Sequence, residues 1–580
     1  MKLVTEREQQ KNFLLKDGDY KSTKEVFERI ARMIPDRPIL ADLDENKNIV
    51  YHTAKDLLND VEAIGEGLID LGLEGKHIAI CADNSYRYIL CDSSISGGVG
   101  VVTPIDAAAK EDLLVTLFNK CDADAVICSA HLLEKIKGAA NSCPRLKTII
   151  TIDKKVEGYV SLDEVMQKGS ELAKKGYYRN KELDLAAPAK LLFTSGTTGA
   201  NKGVILSQNN LAGNIINCLD LIKSDPKLDD KNTSMSILPM HHSTEINSHI
   251  FSRIAAGRLT YINDSMRNMM ENMKIFKPYC ITIVPMIANM FYKTIWAKAK
   301  EAGKDKLLKK GIKIVKLMRK FGKEISHKLF PDVFAPFGGN LNQIVCGGAM
   351  LNPEVVKGLA DLGIIICNGY GITECGPVIS MNTDTVKETY SVGFAAPSFE
   401  VKLADVDEDG IGELCVRGKS VSLGYYNDEE ATKKVFDEDG FFHTGDLVTM
   451  NKEGRIYMSG RKKNVIVLEN GKNVCPEEIE TEVANTIEYA RECVAYKGEF
   501  IKNGAKREGI VLGLYIEDET ARANVEKIKA DVSALNKTMP TYKRVDYIVL
   551  TDSEYEKTST RKVKRDTIMT KHNTENGIIL

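Results

Sequence analysis

Residues 191–204 have the sequence LLFTSGTTGANKGV. The first three residues are apolar, as in a buried strand, and they lead into a loop of small and hydroxylated residues that ends at Lys202. Glycine lets a backbone approach a ligand closely, and backbone N–H groups, hydroxyl groups and a lysine can together surround anionic oxygens. The segment therefore predicts a polyphosphate-binding loop, with an ordinary Ser/Gly-rich loop as the alternative. It is not a Walker A loop, because no window of the chain has that motif's spacing.

The chain on both sides of this loop alternates between short apolar runs and segments with helical spacing. Apolar runs closed by polar or turn residues lie at 77–81, 125–128, 280–285, 343–346 and 363–367. Such runs are typical of buried strands, and helices between them are typical of a largely parallel sheet. We therefore predict the α/β fold class for the large N-terminal part of the chain.

The pattern changes from about residue 390 to residue 458, where short strands alternate with turns such as DEDG and NKEG. Short strands joined by such turns predict an antiparallel β subdomain. Another α/β stretch then reaches the end of the chain. We therefore predict an N-terminal domain at 1–460, which includes the β subdomain, a boundary at 461–463, and a small α+β C-terminal domain at 464–580.

A second group of polar residues follows the apolar run that ends at Cys367. The sequence NGYGITECGP at 368–377 lies past the end of a predicted strand, where parallel sheets bind their ligands. Tyr370 offers a flat face for a purine, Thr373 offers a hydroxyl group, and Glu374 offers a hard oxygen ligand for Mg²⁺. The segment therefore predicts a nucleotide and magnesium site.

A third group is the sequence HTGD at 443–446. The carboxylate of Asp446 could accept hydrogen bonds from the hydroxyl groups of a ribose. Gly-Asp is also a common turn sequence, so this short motif indicates little by itself.

Composition excludes several classes of protein. The 580 residues include 79 Lys and Arg and 81 Asp and Glu, so the net charge is −2. General nucleic-acid binders usually carry a basic excess, and we predict no nucleic-acid partner. None of the 13 cysteines falls in a CxxC pair, which argues against a zinc ribbon and favours a reducing compartment. We expect a cytoplasmic protein, because the first residues lack a signal-peptide core and no apolar run could span a membrane.

The segment 293–328 has an unusual charge balance, with 13 Lys and Arg against 3 Asp and Glu. Apolar residues from Val315 to Leu329 keep helical spacing within it. An amphipathic helix with a solvated basic face is the favoured interpretation. The alternative is a surface that meets anionic lipid headgroups, which would place the protein peripherally at the inner membrane surface.

Taken together and in this order, the three motifs resemble those of the acyl-adenylate-forming superfamily, which includes acyl-CoA synthetases, adenylation domains and firefly luciferase. The resemblance covers nearly the whole chain, because further segments match in order. These are GELCVRGKSVSLGYY at 412–426, the hinge-like GRKKNVIVLENGKNVCPEEIE at 460–480 and the lysine motif KTSTRKVKR at 557–565. Several long motifs in the family order are far more specific than one alone. The resemblance implies a C-terminal domain that moves about a hinge at 461–463.

In this superfamily, ATP and a carboxylic acid give an acyl-adenylate and pyrophosphate, and a thiol then attacks the adenylate. The resemblance implies that Lys562, Thr373, Glu374 and His242 are catalytic, that Thr198 and Glu374 place Mg²⁺, and that Lys463 is the hinge residue. It also implies a set of ATP- and AMP-binding residues: Thr194, Ser195, Gly196, Thr197, Thr198, Gly199, Lys202, Gly348, Ala349, Asn368, Tyr370, Gly371, Asp446 and Arg461.

The segment LPMHHSTE at 238–245 resembles that of long-chain acyl-CoA synthetases, and it makes His242 a candidate gate beside the substrate carboxylate. The resemblance therefore implies a ligase that uses ATP and Mg²⁺ to activate a fatty acid, with coenzyme A as the acyl acceptor. Three alternatives stay open. They are a fatty acyl-AMP ligase that loads an acyl carrier protein, an aryl or medium-chain acyl-CoA ligase, and a nucleotide-sensing scaffold without turnover.

Overall fold

A computed structural model describes residues 18–580 except for 195–200, 222–231, 350, 384–387, 469–471, 488, 503–504, 558–562, 564, 566–567 and 569–576. Contacts divide the chain into two compact units. Unit 1 comprises Met1–Ala349, Val356–Glu400 and Val416–Phe442, and unit 2 comprises Met350–Val355, Val401–Cys415 and His443–Leu580. The predicted hinge at 461–463 falls inside unit 2, and the domain boundary predicted there stays a prediction.

The described α-helices follow one another along the chain in the order given by their numbers. They are α1 (Thr23–Met33), α2 (Ala54–Asp70), α3 (Tyr86–Ser94), α4 (Glu111–Lys120), α5 (Leu133–Ala140), α6 (Leu162–Leu172), α7 (Tyr177–Asn180), α8 (Gln208–Leu221), α9 (Phe251–Ala255), α10 (Met269–Phe276), α11 (Pro285–Glu301), α12 (Asp305–Lys320), α13 (Ser326–Leu329), α14 (Pro331–Phe334), α15 (Pro353–Leu362), α16 (Glu429–Val435), α17 (Pro476–Thr486), α18 (Glu519–Ala523) and α19 (Val525–Thr538). Two π-helical segments cover Ile95–Val99 and Thr244–Ile250.

The described strands are β1 (Pro38–Leu43), β2 (Ile49–Thr53), β3 (His77–Cys81), β4 (Val101–Pro104), β5 (Ala125–Cys128), β6 (Thr148–Thr151), β7 (Val160–Ser161), β8 (Pro188–Thr194), β9 (Lys202–Ser207), β10 (Ser234–Ser236), β11 (Thr260–Ile262), β12 (Cys280–Ile283), β13 (Gln343–Cys346), β14 (Ile365–Gly371), β15 (Val378–Asn382), β16 (Ser391–Ala395), β17 (Phe399–Ala404), β18 (Gly412–Gly418), β19 (Gly424–Tyr425), β20 (Phe442–Met450), β21 (Ile456–Arg461), β22 (Ile466–Val467), β23 (Asn473–Val474), β24 (Glu492–Lys502), β25 (Ala505–Tyr515), β26 (Tyr547–Thr551) and β27 (Ile578–Ile579).

Unit 1 is built on two sheets. In the first, the strands lie in the order β16-β15-β14-β13-β12-β10-β11-β1-β2, and in the second they lie in the order β19-β9-β8-β4-β3-β5-β6-β7. The central strands of both sheets are parallel, as in β12-β13-β14 and β4-β3-β5, and antiparallel strands flank them. This arrangement confirms the predicted α/β class, and the apolar runs predicted at 77–81, 125–128 and 343–346 are strands with those bounds.

The helices pack on these sheets through apolar faces that the sequence encodes. In α2, Thr53 caps the first turn and exchanges hydrogen bonds with Asp56, which satisfies backbone groups that a helix end leaves unpaired. Leu57, Val61 and Ile64 recur at helical spacing and are buried in the core of unit 1.

The predicted apolar stripe from Val315 to Leu329 is only partly right. Val315 is buried, but α12 ends at Lys320 and Phe321 is 71% exposed. The helix stops there because Gly322 follows in the left-handed region, with φ of 71°. The inward face of α12 consists instead of Leu308, Gly311 and Val315.

Unit 2 combines antiparallel strands with a smaller α/β layer. The strands β17, β18, β20 and β21 neighbour one another in that order, and β20 pairs with β21 antiparallel, as the turn-rich sequence predicts. A second sheet has the order β24-β25-β26-β27. Its core includes residues of α17 and α19, among them Ile479, Val483 and Ile528.

Candidate active site

The predicted phosphate loop joins two paired strands. Thr194 ends β8, Lys202 begins β9, and the two residues lie directly opposite each other. β8 is parallel to β4, so the loop extends from the carboxyl edge of the second sheet, where such sheets bind ligands. The middle of the loop, with Ser195, Gly196, Thr197, Thr198 and Gly199, lies outside the described residues.

One tyrosine joins the end of this loop to the predicted magnesium residue. The ammonium group of Lys202 lies 4.6 Å from the centre of the Tyr425 ring, and the Tyr425 hydroxyl donates a 2.9 Å hydrogen bond to Glu374 Oε1. Tyr425 comes from β19, which pairs with β9 beside the loop. Burial and the nearby Glu374 carboxylate raise the pKa of Tyr425 well above its ordinary value, so its hydroxyl stays a donor.

The turn that carries Thr373 and Glu374 has a tightly constrained backbone. Thr373–Cys375 forms a 3₁₀ turn, and the Ile372 N–H donates to the Pro377 carbonyl at 3.0 Å. A Cβ on Gly371 would lie 2.1 Å from that same carbonyl oxygen, so only glycine fits there. The Ser422 N–H donates to the Glu374 carbonyl at 2.7 Å, which fixes the position from which Glu374 projects.

Two predicted adenine-binding segments lie side by side. β13 and β14 are parallel neighbours with Cys346 opposite Asn368, so the residues that follow them leave the same sheet edge. A Cβ on Gly347 would approach the Gly369 carbonyl oxygen to 3.3 Å, which shows how closely the two backbones pass. Gly348 and Ala349 are exposed and Tyr370 is half-buried, so these predicted adenine contacts are accessible. The buried Asn368 amide instead donates to the Ser391 carbonyl at 3.3 Å.

A buried polar network behind the site was not found from the sequence. Lys190, four residues before Thr194 on β8, donates to Asp92 Oδ1 at 2.6 Å and to Asn247 Oδ1 at 2.8 Å. The Asn214 amide donates to the Asn247 carbonyl at 3.0 Å and accepts from the Val378 N–H at 3.0 Å. The strand that leads to the phosphate loop is therefore tied to the chain that follows Glu374.

His242, the predicted gate, belongs to a partly buried histidine pair. The rings of His241 and His242 have centroids 4.0 Å apart, and Asp106 Oδ2 lies 3.9 Å from His241 Nε2. Burial lowers the pKa of His241 to about 4, and burial together with His241 lowers the pKa of His242 to about 3. Both imidazoles are therefore neutral near pH 7, and His242 can hydrogen-bond a carboxylate but adds no positive charge.

The predicted ribose residues pair with each other within unit 2. Asp446 and Arg461 lie opposite each other on β20 and β21, and Arg461 Nε lies 2.7 Å from Asp446 Oδ1. Asp446 is almost fully buried, and its own N–H donates to Thr444 Oγ1 at 3.1 Å. A fixed carboxylate of this kind is a suitable acceptor for ribose hydroxyl groups.

The predicted hinge residue is exposed, and the predicted catalytic lysine lies outside the described residues. Lys463 lies in a short 3₁₀ turn, Lys462–Asn464, directly after β21. Lys562 lies outside the described residues, as does Thr198, so Glu374 is the described member of the predicted magnesium pair. No cluster of three or more metal-binding side chains occurs in the part of the chain that the structure describes. One anchored carboxylate beside a phosphate loop fits Mg²⁺ that is held largely by substrate phosphates.

Tyr425 is the site residue that sequence reasoning missed. It stands in the quoted segment GELCVRGKSVSLGYY, but no role was assigned to it. Gly424, with φ of 115°, turns the chain into the short strand that places the ring. The available sequence signal was a glycine directly before two tyrosines. That signal does not reveal that the segment pairs with β9, and this pairing is what places Tyr425 beside the loop.

Comparisons with known proteins identify relatives over most of the chain. The chain is 27% identical over 535 residues to the peroxisomal long chain acyl-CoA synthetase 6 of Arabidopsis thaliana, covering 83% of this chain and 75% of that protein. It is 28% identical to fatty acyl-CoA synthetase B of Dictyostelium discoideum, covering 85% and 76%. It is 27% identical to long-chain-fatty-acid–CoA ligase 5 of Rattus norvegicus, covering 80% and 71%.

Solved structures share the fold at low identity. The adenylation domain of a carboxylate reductase from Mycobacterium chelonae superposes with a TM-score of 0.76 at 20% identity, covering 97% of this chain and 91% of that one. ATP-bound MatB from Rhodopseudomonas palustris superposes with a TM-score of 0.72 at 19% identity, covering 95% and 98%. Residues 27–426 match the family model described as AMP-binding enzyme. The chain belongs to the AMP-binding enzyme family.

Proposed function

We propose that this protein is a long-chain fatty acid–CoA ligase. With ATP and Mg²⁺ it activates the acid as acyl-AMP with release of pyrophosphate, and it then transfers the acyl group to the thiol of coenzyme A. The observation that carries the proposal is that Tyr425 contacts Lys202 through its ring and Glu374 through its hydroxyl group, because these contacts join three family motifs from the two sheets of unit 1.

The first half-reaction must bring two anions together, a carboxylate and a triphosphate. Positive charge and fixed dipoles at the phosphates lower that barrier. Lys202 supplies one charge beside the loop, and Thr373 supplies a hydroxyl group toward the α-phosphate. Glu374, held by Tyr425, would hold Mg²⁺, which when bound neutralises phosphate charge.

The remaining roles fall to residues of unit 2 and to the histidine pair. Asp446, fixed by Arg461, accepts hydrogen bonds from the ribose. Lys562 bridges the reacting carboxylate and the α-phosphate in one domain orientation, and rotation about Lys463 opens the way for the thiol in the other. His242 is a neutral neighbour of the carboxylate, so the positive charge at the reacting centre comes from Lys562.

Two features support a long-chain substrate and coenzyme A. The LPMHHSTE segment resembles that of long-chain synthetases, and the three relatives in the comparison are named as enzymes that join long or fatty acyl groups to coenzyme A. An acyl carrier protein is the alternative acceptor. The aryl or medium-chain ligase and the non-enzymatic scaffold have no such support.

The helix α12 supports contact with a membrane surface. Viewed along its axis it has three sectors: an inward one with Leu308, Gly311 and Val315, a lysine sector, and an exposed apolar sector. The lysine sector comprises Lys306, Lys309, Lys313, Lys316 and Lys320. The exposed apolar sector comprises Leu307, Ile314, Leu317 and, just past the helix, Phe321.

Exposed large apolar side chains beside a row of lysines suit the boundary between anionic headgroups and acyl chains. Fatty acids partition into that boundary, so α12 would hold the enzyme where its substrate is concentrated. No described helix is both long and apolar enough to cross a bilayer. We propose a cytoplasmic location at the inner membrane surface, since 13 cysteines without a CxxC pair favour a reducing compartment.

The test is pyrophosphate release with ATP and Mg²⁺ across straight-chain acids from acetate to arachidate, with and without coenzyme A. We expect pyrophosphate release to be greatest with long-chain acids. We expect the enzyme to complete multiple turnovers only when coenzyme A is present. Release that coenzyme A does not stimulate would indicate a carrier-protein ligase. A maximum with short or aryl acids would contradict the substrate class, and no release with any acid would contradict the enzyme assignment.

A further inference from the structure

Glu413 is a buried carboxylate to which no substrate-binding role was assigned. It lies on β18, its side chain is 5% exposed, and three donors surround it. Lys462 Nζ donates at 2.8 Å, the His443 ring nitrogen Nδ1 lies at 3.1 Å, and the Gly445 N–H donates at 3.0 Å. A buried carboxylate needs partners of this kind, because an unpaired buried charge is strongly destabilising.

These donors come from two different functional segments of unit 2. His443 and Gly445 belong to the HTGD motif, whose Asp446 faces the ribose. Lys462 stands between Arg461, which holds Asp446 at 2.7 Å, and Lys463, the hinge residue. Glu413 therefore joins the ribose segment to the residue that directly precedes Lys463.

Lys462 has a second anchor on the other side of Glu413. Its ammonium group lies 2.9 Å from Asp405 Oδ2 as well as 2.8 Å from Glu413 Oε2. The hydrogen bonds that Lys462 donates to these two carboxylates raise its pKa to about 12. Burial alone would raise the pKa of Glu413, but hydrogen bonds from Lys462 and His443 outweigh burial and hold it below its ordinary value. Both partners are therefore charged near pH 7.

We propose that Glu413 and Lys462 are positioning residues that fix the chain just upstream of the hinge residue Lys463. With Lys462 held by two carboxylates, rotation begins at Lys463 and not further upstream. The ribose residues Asp446 and Arg461 are held separately, by their own 2.7 Å ion pair and by the pairing of β20 with β21. This inference rests on the proposed function, because a defined pivot matters only if the C-terminal domain alternates between two half-reactions.

The first test measures amide hydrogen exchange and does not depend on enzymatic activity. Hydrogen exchange of the amides at 461–468 is compared between wild type, Lys462→Met and the control Lys527→Met. The control removes a surface ion pair of unit 2, Lys527 with Asp531 at 2.6 Å, which lies on α19. We expect exchange at 461–468 to become about tenfold faster in Lys462→Met only. Equal exchange in the two variants would overturn the proposal.

The second test uses kcat and the KM for ATP to distinguish an effect on the hinge from an effect on the ribose site. Lys462→Met should lower kcat for thioester formation about tenfold and leave the KM for ATP within about twofold, since Asp446 and Arg461 remain. Glu413→Gln should lower kcat and also raise the KM for ATP, because it loosens Gly445. Lys462→Arg, which keeps the charge, should restore most of kcat.

A KM increase in Lys462→Met as large as that in Glu413→Gln would overturn the proposal, because Lys462 would then act through the ribose site. An unchanged kcat in Lys462→Met would overturn it as well. Failure of the proposed function is distinguishable from both results, because wild type would then form no thioester while the exchange experiment still reports whether Lys462 fixes the chain.

Discussion

The hydroxyl group of Tyr425 donates a 2.9 Å hydrogen bond to the carboxylate of Glu374, across 51 residues of sequence. The ammonium group of Lys202 lies 4.6 Å from the centre of the same tyrosine ring. A residue from the LGYY segment thus contacts both the predicted magnesium ligand and the end of the predicted phosphate loop. This relationship leads to the first prediction.

Tyr425→Phe should lower kcat/KM for MgATP by a factor of about 10 to 150, because a hydrogen bond to a charged carboxylate is worth about 1.5–3 kcal/mol. Tyr425→Leu should lower it further, since the ring under Lys202 is lost as well. Initial rates against MgATP concentration measure both. The matched control is Tyr426→Phe, which removes a 2.9 Å hydrogen bond to Asp122 away from the site. It should change kcat/KM for MgATP less than about twofold. Similar losses in the Tyr425 and Tyr426 variants would refute the role.

Lys562→Ala should abolish adenylate formation and leave thioester formation from supplied acyl-adenylate largely intact. The reason is that its charge is needed only while the carboxylate meets the α-phosphate. Pyrophosphate exchange measures the first step, and transfer from synthetic acyl-AMP to coenzyme A measures the second. Lys564→Ala, two residues away in the same basic stretch, is the control and should retain both steps. Equal loss of both steps in Lys562→Ala would reject the assignment.

His242→Ala should lower kcat/KM for the fatty acid by the same factor at about pH 5.5 and at about pH 8.5, because a pKa of about 3 keeps the imidazole neutral at both values. The lowered pKa also means that only the unfolded chain takes up a proton below about pH 6.5. The folded state therefore loses stability as pH falls from there toward 3, and the variant should lose less.

The measurements are rate profiles and urea unfolding across this pH range. His131→Ala, which removes an exposed histidine, is the control and should resemble wild type in both. If His242→Ala removes an acid limb with an apparent pKa near 6.5, the imidazole titrates in solution and the neutral assignment is wrong.

Lys190→Met should reduce the free energy of unfolding by about 3–5 kcal/mol, because it leaves the Asp92 carboxylate buried without its charged partner. Both side chains are fully buried and 2.6 Å apart, and Asp92 Oδ2 has no hydrogen-bond partner among the described residues. The double variant Asp92→Leu with Lys190→Met should recover most of the loss. Urea denaturation measures each.

The control for this pair is Lys434→Met on α16, which breaks an exposed ion pair with Glu430 and should cost less than about 1 kcal/mol. A loss in Lys190→Met no larger than in this control would show that the buried pair is not a stabilising contact.

Replacing Lys309, Lys310 and Lys313 by Gln should weaken binding to phosphatidylglycerol vesicles at least about tenfold, since each lysine near an anionic surface contributes about 1 kcal/mol. Vesicle co-sedimentation at low and high salt measures it. Phe321→Ser should weaken binding at both salt concentrations, because it removes exposed apolar surface rather than charge.

The matched control replaces three exposed lysines elsewhere in the chain, Lys433, Lys452 and Lys529, and should bind vesicles like wild type. Unchanged binding by the α12 triple variant would remove the membrane proposal and leave the ligase proposal untouched.

The sequence by itself determined the fold class and the identity of the motifs. Buried strands are short apolar runs, and each is a local signal, so strands such as 77–81 and 125–128 were predicted with their observed bounds. The motif residues were predictable for the same reason, because the glycines and hydroxyl groups that surround phosphates must be close together in sequence.

The tertiary structure decided which motifs touch and which side chains support them. Tyr425 reaches Glu374 only because β19 pairs with β9, and Lys190 meets Asn247 only across the folded core. The neutral state of His242 likewise follows from burial by distant residues. Side-chain contacts, burial and pKa depend on segments far apart in the chain. Local sequence spacing carries no information about those distances, so only the packed sheets could fix them.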